Sequence, residues 1–350
     1  MKKQTLKKIL SLASAAVLTL SLAACGGSAG TAPSASGSPV PSAAPSETTK
    51  QVKIGIIQYA PHPSLDNCTS GTIQGLEAAG YQDGEQGVTI DVQNAQGDSS
   101  TADMMAKAMV SSGYDLIIGV ATPAAMSAYS AAKDAGIPVI YSAVSDPVAA
   151  GLAKSLDDPE TGASGTSDAL NLEGQLKMIR AFLPDAKTIG ILYTTSEPNS
   201  LTHLEKFKSL APSYGFTIEA VGINNESEVA SGAAALVAKG VDCVNNFTDN
   251  NVVNNLSTLL HATDEAGIPV FGSEEEQVKN GCVASESLDY VVLGKETGRM
   301  AASVLSGESD IMTLPVSVVS DSSPVYSQSN CDKFGLALPA DYSHAVNVDQ

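Results

Sequence analysis

Residues 53–59 read KIGIIQY, and this short apolar strand pattern returns as TIGILYT at residues 188–194. Each copy leads into a proline-containing turn and then into a helix-like stretch. Two more strand-like segments recur in the same order. They are YDLIIGV (114–120) with VDCVNNF (241–247), and AGIPVI (135–140) with AGIPVF (266–271). The chain therefore contains one structural unit twice, which predicts two similar lobes.

Short β-branched runs that alternate with helical patterns indicate parallel sheets, because parallel strands need a crossover connection. We predict an α/β fold of two Rossmann-like lobes with parallel sheets, joined by a three-stranded hinge that lets them open and close. The helix expected near residues 293–305 is assigned to the first lobe. The three crossings are expected near residues 142–166, 284–287 and 316–321. The predicted lobes are residues 51–145 plus 286–316 for lobe 1 and residues 146–285 plus 317–350 for lobe 2.

Residues 1–24 have the features of a lipoprotein signal peptide. Four lysines precede an apolar run that is too short for a comfortable membrane span, and the sequence LAAC at residues 22–25 follows it. Cys25 is then the lipidated, palmitate-carrying first residue of the mature protein, at the extracytoplasmic face of the cell membrane. The alternative is a plain secretory peptide in which Cys25 is incidental. Residues 25–50 are rich in Gly, Ala, Ser, Thr and Pro, which predicts a lipidated flexible tether.

Composition excludes several classes of protein. Removing the four signal lysines changes the formal net charge from −19 to −23. A chain this acidic, without a Lys/Arg cluster, argues against a nucleic acid partner. No nucleophile, P-loop, dinucleotide-binding or zinc-protease motif is present, so we expect neither an enzyme nor a cofactor or metal. The sequence leaves open whether one disulfide forms among Cys243, Cys282 and Cys331.

The turns after the predicted strands are where an open α/β sheet binds its ligand. Thr122 stands before Pro123 at a helix start, where free N–H groups favour an anion such as a carboxylate. Asp249 occupies the matching position of the second lobe and can pair with an ammonium group. An α-amino acid satisfies both, although each residue can also serve only as a helix cap.

Four aromatic residues stand at or near the ends of these strands, and we expect about half of them to contact the ligand, because strand alternation turns the others into the core. They are Tyr59, Tyr141, Tyr193 and Phe247. The remaining candidates for ligand contact are His62, Ser142, Asp146, Glu197, Asn199, Ser200 and Glu275.

Several of these motifs resemble the tryptophan/tyrosine-type ABC substrate-binding family. They include IGIIQY (54–59), HPSLD (62–66), QNAQGD (93–98), ATPAA (121–125), AVSDP (143–147), GTSD (165–168), SEPNS (196–200), TDN (248–250) and VKNG (278–281). The resemblance covers residues 51–340. It implies the type I periplasmic-binding-protein fold, an ABC permease and its ATPase as partners, and often an aromatic amino acid as ligand. By position it implies that Thr122, Asn199 and Asp249 contact the ligand, and it extends the set to Tyr59, Ser142 and Glu275.

The sequence therefore predicts an extracytoplasmic solute-binding lipoprotein of an ABC importer. Its ligand is expected to be a small solute, an aromatic or other apolar amino acid, that bridges the lobes and favours their closed state. Two alternatives stay open. One is a ligand-sensing lipoprotein of the same fold that acts on a membrane signalling partner, and the other is a binding protein for a nucleoside or sugar.

Overall fold

The structure, a computed structural model, describes residues 51–350 of the chain. The predicted signal peptide, Cys25 and almost all of the predicted tether lie outside these residues. The strands are β1 (Val52–Gln58), β2 (Val88–Asn94), β3 (Leu116–Val120), β4 (Val139–Ser142), β5 (Ala163–Ser167), β6 (Thr188–Thr194), β7 (Thr217–Ile223), β8 (Cys243–Asn245), β9 (Val270–Phe271), β10 (Ala284–Ser287), β11 (Ser317–Val318), β12 (Ser323–Tyr326) and β13 (Val346–Asn347). The α-helices are α1 (Pro63–Ala78), α2 (Ser99–Ser111), α3 (Thr122–Ala132), α4 (Leu172–Phe182), α5 (Pro198–Leu210), α6 (Val229–Ala238), α7 (Asn250–Asn254), α8 (Leu256–Glu265), α9 (Glu275–Lys279), α10 (Tyr290–Leu305) and α11 (Gln328–Lys333). Among these residues no helix is both long and apolar enough to cross a membrane.

Lobe 1 is built on a six-stranded sheet with the order β11-β5-β4-β3-β1-β2. All of its strand pairs are parallel. The central strand β3 has the sequence LIIGV and is buried along its whole length. Such continuous burial is expected where helices cover both faces of a parallel sheet.

Lobe 2 contains a four-stranded parallel sheet, β7-β6-β8-β9, and a three-stranded sheet, β10-β12-β13. Two backbone hydrogen bonds join them, because the Val283 N–H donates to Val270 and the Gly272 N–H donates to Ala284. The two-lobed α/β architecture with parallel sheets that the sequence predicts is confirmed.

The duplication is visible in strand order and in one repeated side-chain contact. The orders β2-β1-β3-β4 and β7-β6-β8-β9 are equivalent. At the start of β1, Asp115 accepts the Lys53 N–H at 2.8 Å. At the start of β6, Asp242 accepts the N–H groups of Lys187 and Thr188 at 2.7 and 2.8 Å. An aspartate at the equivalent position therefore fixes the start of the equivalent strand in each lobe.

The predicted division between the lobes is wrong near each of the three crossings. At the second, residues 286–287 belong to β10, which pairs with β12 in lobe 2. Strand β5 pairs with β4, with Tyr141 opposite Gly165, and β11 pairs with β5. Residues 146–167 and 317–318 therefore belong to lobe 1. The β5 sequence, ASGTS, has no run of β-branched residues, so its strand state depends on burial between its two neighbours. The first crossing accordingly follows β5, and the chain passes between the lobes at residues 168–171, 288–289 and 319–322.

Helices α1 and α10 pack against each other in lobe 1 through glycines. A Cβ atom added to Gly71 would lie 2.3 Å from the Val291 carbonyl oxygen, and one on Gly294 would lie 2.2 Å from that of Cys68. Only glycine permits this approach. The close pairing holds the first residues of α1 beside the first residues of α10, immediately after the second crossing.

The four cysteines of the described chain are all buried and unpaired. They are Cys68, Cys243, Cys282 and Cys331. The disulfide that the sequence left open among the last three is therefore absent from this structure.

Candidate ligand-binding cleft

A narrow cavity of about 20 Å³ lies between the two lobes. This is room for about one water molecule, so a larger ligand requires the lining side chains or the lobes to move apart. The lining from lobe 1 consists of His62, Ser64, Leu65, Ala121, Thr122, Ala143, Ser145 and Tyr290. The lining from lobe 2 consists of Asn199, Thr248, Asn250, Val253 and Glu274, and Asp168 lies in the first crossing segment. Because both lobes supply atoms, a molecule in the cavity would touch both of them.

The lobe 1 wall is formed by helix starts. Helix α1 begins at Pro63 and α3 begins at Thr122, and both starts line the cavity. The first N–H groups of a helix have no partner within it and carry partial positive charge. Ala121, directly before α3, has a φ of 75°, and Ala143, directly after β4, has a φ of 56°. Left-handed backbone at non-glycine residues is strained, and such strain concentrates at functional sites.

Four buried polar atoms that line this cavity have no hydrogen-bond partner within the described chain. They are His62 Nδ1, Ser64 Oγ, Asn199 Oδ1 and Thr248 Oγ1. Leaving a buried polar group unpaired costs about 1–3 kcal/mol. Two of these atoms come from each lobe, so unpaired polar atoms face the gap from both sides.

Two buried carboxyl groups also face the cavity. Asp168 accepts hydrogen bonds from the Ser145 hydroxyl at 2.9 Å and the Tyr290 hydroxyl at 3.0 Å, and burial raises its pKa to about 6. Burial raises the pKa of Glu274 to about 7. No Lys or Arg is among the residues that line the cavity. The two acids therefore have no cationic partner in the cavity wall.

Behind the lobe 2 wall lies a second pair of acids. Asp249 caps α7 and accepts hydrogen bonds from Val252 N–H, Ser200 hydroxyl, and both the N–H and the hydroxyl of Thr194. Glu197 accepts from the asparagines around it. Burial, and then the neighbouring Asp249, raise the pKa of Glu197 to about 8. These acids hold the wall together from behind.

Of the residues that the sequence singles out, His62, Thr122 and Asn199 line the cavity. Glu197, Ser200 and Asp249 stand behind them, in the network just described. Ser142 is also buried, and its hydroxyl accepts a hydrogen bond from Thr297.

The other predicted residues lie elsewhere. Tyr59 donates to the Gly97 carbonyl oxygen at 2.8 Å, and Phe247 packs edge-on against Phe207 in the lobe 2 core. Tyr193 also packs against that core, and Tyr141 is buried in the lobe 1 core. Asp146 accepts the Ala149 N–H, and the Glu275 carboxylate pairs with Lys279 on the surface.

Sequence reasoning missed seven polar lining residues: Ser64, Ser145, Asp168, Thr248, Asn250, Glu274 and Tyr290. For six of them a signal exists, because they stand within or beside motifs or turns that the sequence analysis marks. Glu274 is next to the predicted Glu275, for example, and only the direction of the turn decides which carboxyl points inward. Tyr290 has no such signal. It enters the cavity because the chain returns to lobe 1 at this point.

Comparison with solved structures concerns the arrangement of the lobes. The domain from Streptococcus pneumonia in complex with L-Trp is 35% identical, with a TM-score of 0.81, and the match covers 85% of this chain and 98% of that one. The ligand-free, open substrate-binding protein from Clostridium difficile is 37% identical and covers 85% and 99%, yet its TM-score is 0.64. At similar identity, the lobes here are thus arranged more like those of the L-Trp complex.

Two further comparisons concern the sequence. A curated relative from Clostridioides difficile (strain R20291), named tyrosine-binding protein, is 38% identical over 346 residues, which is 98% of this chain and 97% of the relative. The family model described as ABC transporter substrate binding protein matches residues 53–345. The resemblance seen in the sequence motifs is thereby confirmed. The chain belongs to the ABC transporter substrate-binding protein family.

Proposed function

We propose that this chain captures an aromatic amino acid, tyrosine or tryptophan, between its lobes and presents it to the permease and ATPase of an ABC importer. The observation that carries the proposal is the pairing of two unlike walls around one cavity. Lobe 1 presents helix starts, whereas lobe 2 presents acceptor oxygens and a buried carboxyl. An α-amino acid carries one group for each wall.

The carboxylate of the ligand fits the lobe 1 wall. The free N–H groups at the starts of α1 and α3 favour an anion, and the hydroxyls of Ser64 and Thr122 stand beside them. Since no Lys or Arg lines the cavity, uncharged donors hold the anion.

The ammonium group fits the oxygens of lobe 2 and of the first crossing segment. Glu274 and Asn199 Oδ1 are acceptors in lobe 2 and Asp168 is one in the crossing segment, and Asn199 Oδ1 has no partner of its own. An ammonium group favours the ionised forms of the two acids, which then form charge-assisted hydrogen bonds.

The side chain of the ligand has an apolar surface available, formed by Leu65, Ala121, Ala143, Val253 and the ring of Tyr290. An aromatic side chain is supported by the relative named tyrosine-binding protein and by the 35% identical domain in complex with L-Trp. Because the ligand contacts both lobes, it favours the closed arrangement that a permease would recognise. We assign no chemical step to the cavity.

Isothermal titration calorimetry of the purified protein tests this proposal. L-Tyrosine or L-tryptophan is expected to bind with a dissociation constant in the micromolar range, equivalent to about −8 kcal/mol. Tyramine, which lacks the carboxylate, and 3-(4-hydroxyphenyl)propionate, which lacks the amine, are each expected to bind more weakly. Binding of a nucleoside or a sugar, with no binding of any amino acid at millimolar concentration, would falsify the proposal.

We also propose that the LAAC sequence is processed so that Cys25 carries lipid and holds the protein at the extracytoplasmic face of the membrane. The features that support it are the basic start, the short apolar run and the small residues before Cys25. Labelled palmitate is expected to enter the wild-type protein but not the Cys25→Ser variant. Equal labelling of both proteins removes Cys25 as the attachment site.

A further inference from the structure

Glu197 lies directly behind the cleft and holds two of its asparagines. It is 2% exposed, and it is not among the residues that line the cavity. Its Oε2 atom accepts the Asn199 Nδ2 group at 3.1 Å, the Asn250 N–H at 3.1 Å and the Asn250 Nδ2 group at 2.7 Å. Asn199 and Asn250 both line the cavity. One buried carboxylate oxygen thus receives three donors from two cleft residues.

The amide of Asn199 has only one orientation that suits its surroundings. Besides Glu197, its Nδ2 group donates to the Thr248 carbonyl oxygen at 3.1 Å. Both partners can only accept when Glu197 is ionised, so a flipped amide would place oxygen against oxygen. With both N–H groups used, Asn199 Oδ1 remains as a buried atom without a partner, and it is an acceptor.

Asn250 is held in the same way. Its backbone N–H and its Nδ2 group both donate to Glu197, which leaves its side-chain oxygen for other contacts. Asn250 and His62 of lobe 1 both line the cavity, so Glu197 fixes a residue that faces the opposite wall.

We propose that Glu197 is a positioning residue: by holding Asn199 and Asn250, it makes the lobe 2 wall an acceptor of hydrogen bonds and so selects ligands that carry an amine. The inference rests on the proposed function, because it names which end of an amino acid this wall recognises. A wall with the amide groups reversed would present N–H donors and would favour an anion instead.

The charged groups around Glu197 make this role sensitive to pH. Asp249 and Tyr59 are close enough to interact with it electrostatically, and burial together with Asp249 raises the pKa of Glu197 to about 8. A protonated carboxyl cannot accept three donors on one oxygen as well as a carboxylate does. Asp168, Glu274 and His62 also titrate in this cavity. Variants of Glu197 are needed to separate its contribution from theirs.

The test compares Glu197→Gln and Glu197→Ala with wild type, using L-tyrosine and its deamino analogue, 3-(4-hydroxyphenyl)propionate. Because a Gln oxygen can still accept the asparagine donors, the Gln variant is expected to keep tyrosine affinity within about 3-fold at pH 8.5, where Glu197 of the wild type is mostly ionised. It should also vary less with pH between 6 and 8 than wild type. The Ala variant is expected to lose about 10-fold in tyrosine affinity. Its affinity for the analogue should stay within about 2-fold.

Glu226→Gln is the matched control, because Glu226 also accepts from asparagines, Asn254 and Asn255, but is exposed. Equal losses for both ligands in the Ala variant, or no loss for either, overturn the proposal. The proposal is also overturned if the Gln and Ala variants lose equal affinity for tyrosine and keep their affinity for the analogue. That result would show that the charge of Glu197 acts directly on the ligand.

A ligand-free measurement keeps this inference separate from the proposed function. In NMR spectra of the unliganded protein, the side-chain NH₂ protons of Asn199 and Asn250 are expected to exchange slowly with solvent. In Glu197→Ala they should exchange faster and shift, while those of Asn254 stay unchanged. Unaltered signals overturn the positioning role whether or not tyrosine binds.

Discussion

The two walls of the cleft come from a duplicated unit, yet they have opposite chemical character. At equivalent turns, Thr122 opens α3 of lobe 1 and Asp249 caps α7 of lobe 2. Thr122 lines the cavity beside a free helix start, whereas Asp249 is turned inward and engaged by four donors. The comparison teaches that duplication supplies the geometry of a clamp. The side chains at matching turns then differ, because Thr122 faces the cavity and Asp249 faces its own lobe.

The acids show the same asymmetry. Glu197, Asp249 and Glu274 belong to lobe 2, and Asp168 lies in the crossing segment, while the cavity wall of lobe 1 supplies no carboxylate. Burial disfavours the charged forms of these acids and raises their pKa values. In the proposed complex, the ammonium group of the ligand would favour the charged forms.

The largest expected effect comes from removing the charge at the crossing. Asp168→Asn leaves the shape of the cavity nearly unchanged but removes the carboxylate that would face the ammonium group. We expect tyrosine binding to weaken by about 2–5 kcal/mol, as for other buried charge pairs that lose one partner. Calorimetry measures this loss.

The matched control is Asp91→Asn, because Asp91 likewise accepts a tyrosine hydroxyl, that of Tyr114 at 2.9 Å, but is absent from the cavity lining. The control should bind tyrosine as wild type does. A Kd change below 2-fold in Asp168→Asn would place the ammonium group elsewhere.

The equivalent turns should respond differently to substitution. Asp249→Ala leaves four buried donors unpaired and is expected to lower the free energy of unfolding by about 2–4 kcal/mol. Thr122→Val removes a hydroxyl from the cavity wall and should leave stability within about 0.5 kcal/mol, while it weakens tyrosine binding by about 1 kcal/mol. Urea denaturation and calorimetry separate the two quantities. Similar stability losses in both variants would contradict the asymmetry of the walls.

The pH dependence of stability should reveal the buried acids. A carboxyl whose folded-state pKa lies above its unfolded value stabilises the fold at low pH, and this contribution is lost as pH rises through the folded pKa. Those folded values are about 6 for Asp168, 7 for Glu274 and 8 for Glu197. Burial lowers the pKa of His62 and of His203 to about 4, so both remain neutral in folded protein over this range.

Between pH 6.5 and 8 the melting temperature of unliganded protein should therefore fall by a few degrees. An ammonium group lowers the pKa of the nearby acids, so the rise in melting temperature caused by tyrosine should increase over the same interval. Thermal scans with and without tyrosine measure both trends. If the rise in melting temperature caused by tyrosine did not depend on pH, the buried acids would not belong to the binding site.

The smallest expected effect concerns a single hydroxyl on the lobe 1 wall. Ser64 Oγ is buried without a partner, so Ser64→Ala removes an unsatisfied group and should leave the unliganded protein equally stable or slightly more stable. The same change removes a donor for the ligand carboxylate and should weaken tyrosine binding by about 1 kcal/mol. A loss of stability without a loss of affinity would show that Ser64 serves the fold instead.

Local sequence patterns were sufficient for the frame of the cleft but not for its lining. The strands β1, β3 and β4, and their copies in lobe 2, are apolar runs next to turn residues, and such signals act over a few residues. By contrast, Asp249 was expected to face the ligand and is used within its own lobe. Whether a polar residue at a turn faces inward or outward depends on donors brought from other turns, which no local pattern encodes.

By itself the sequence determined two copies of a parallel βαβ unit and the turns at which a ligand would be held, because strand, helix and turn preferences are short-range. Only the tertiary structure decided that ASGTS is a buried strand of lobe 1 and which side chains reach the cavity. The side chains of Asp168 and Tyr290, which are 122 residues apart in the sequence, form a hydrogen bond there. Their meeting depends on the order in which the three segments cross between lobes, which is set by sheet pairing and helix packing over the whole chain.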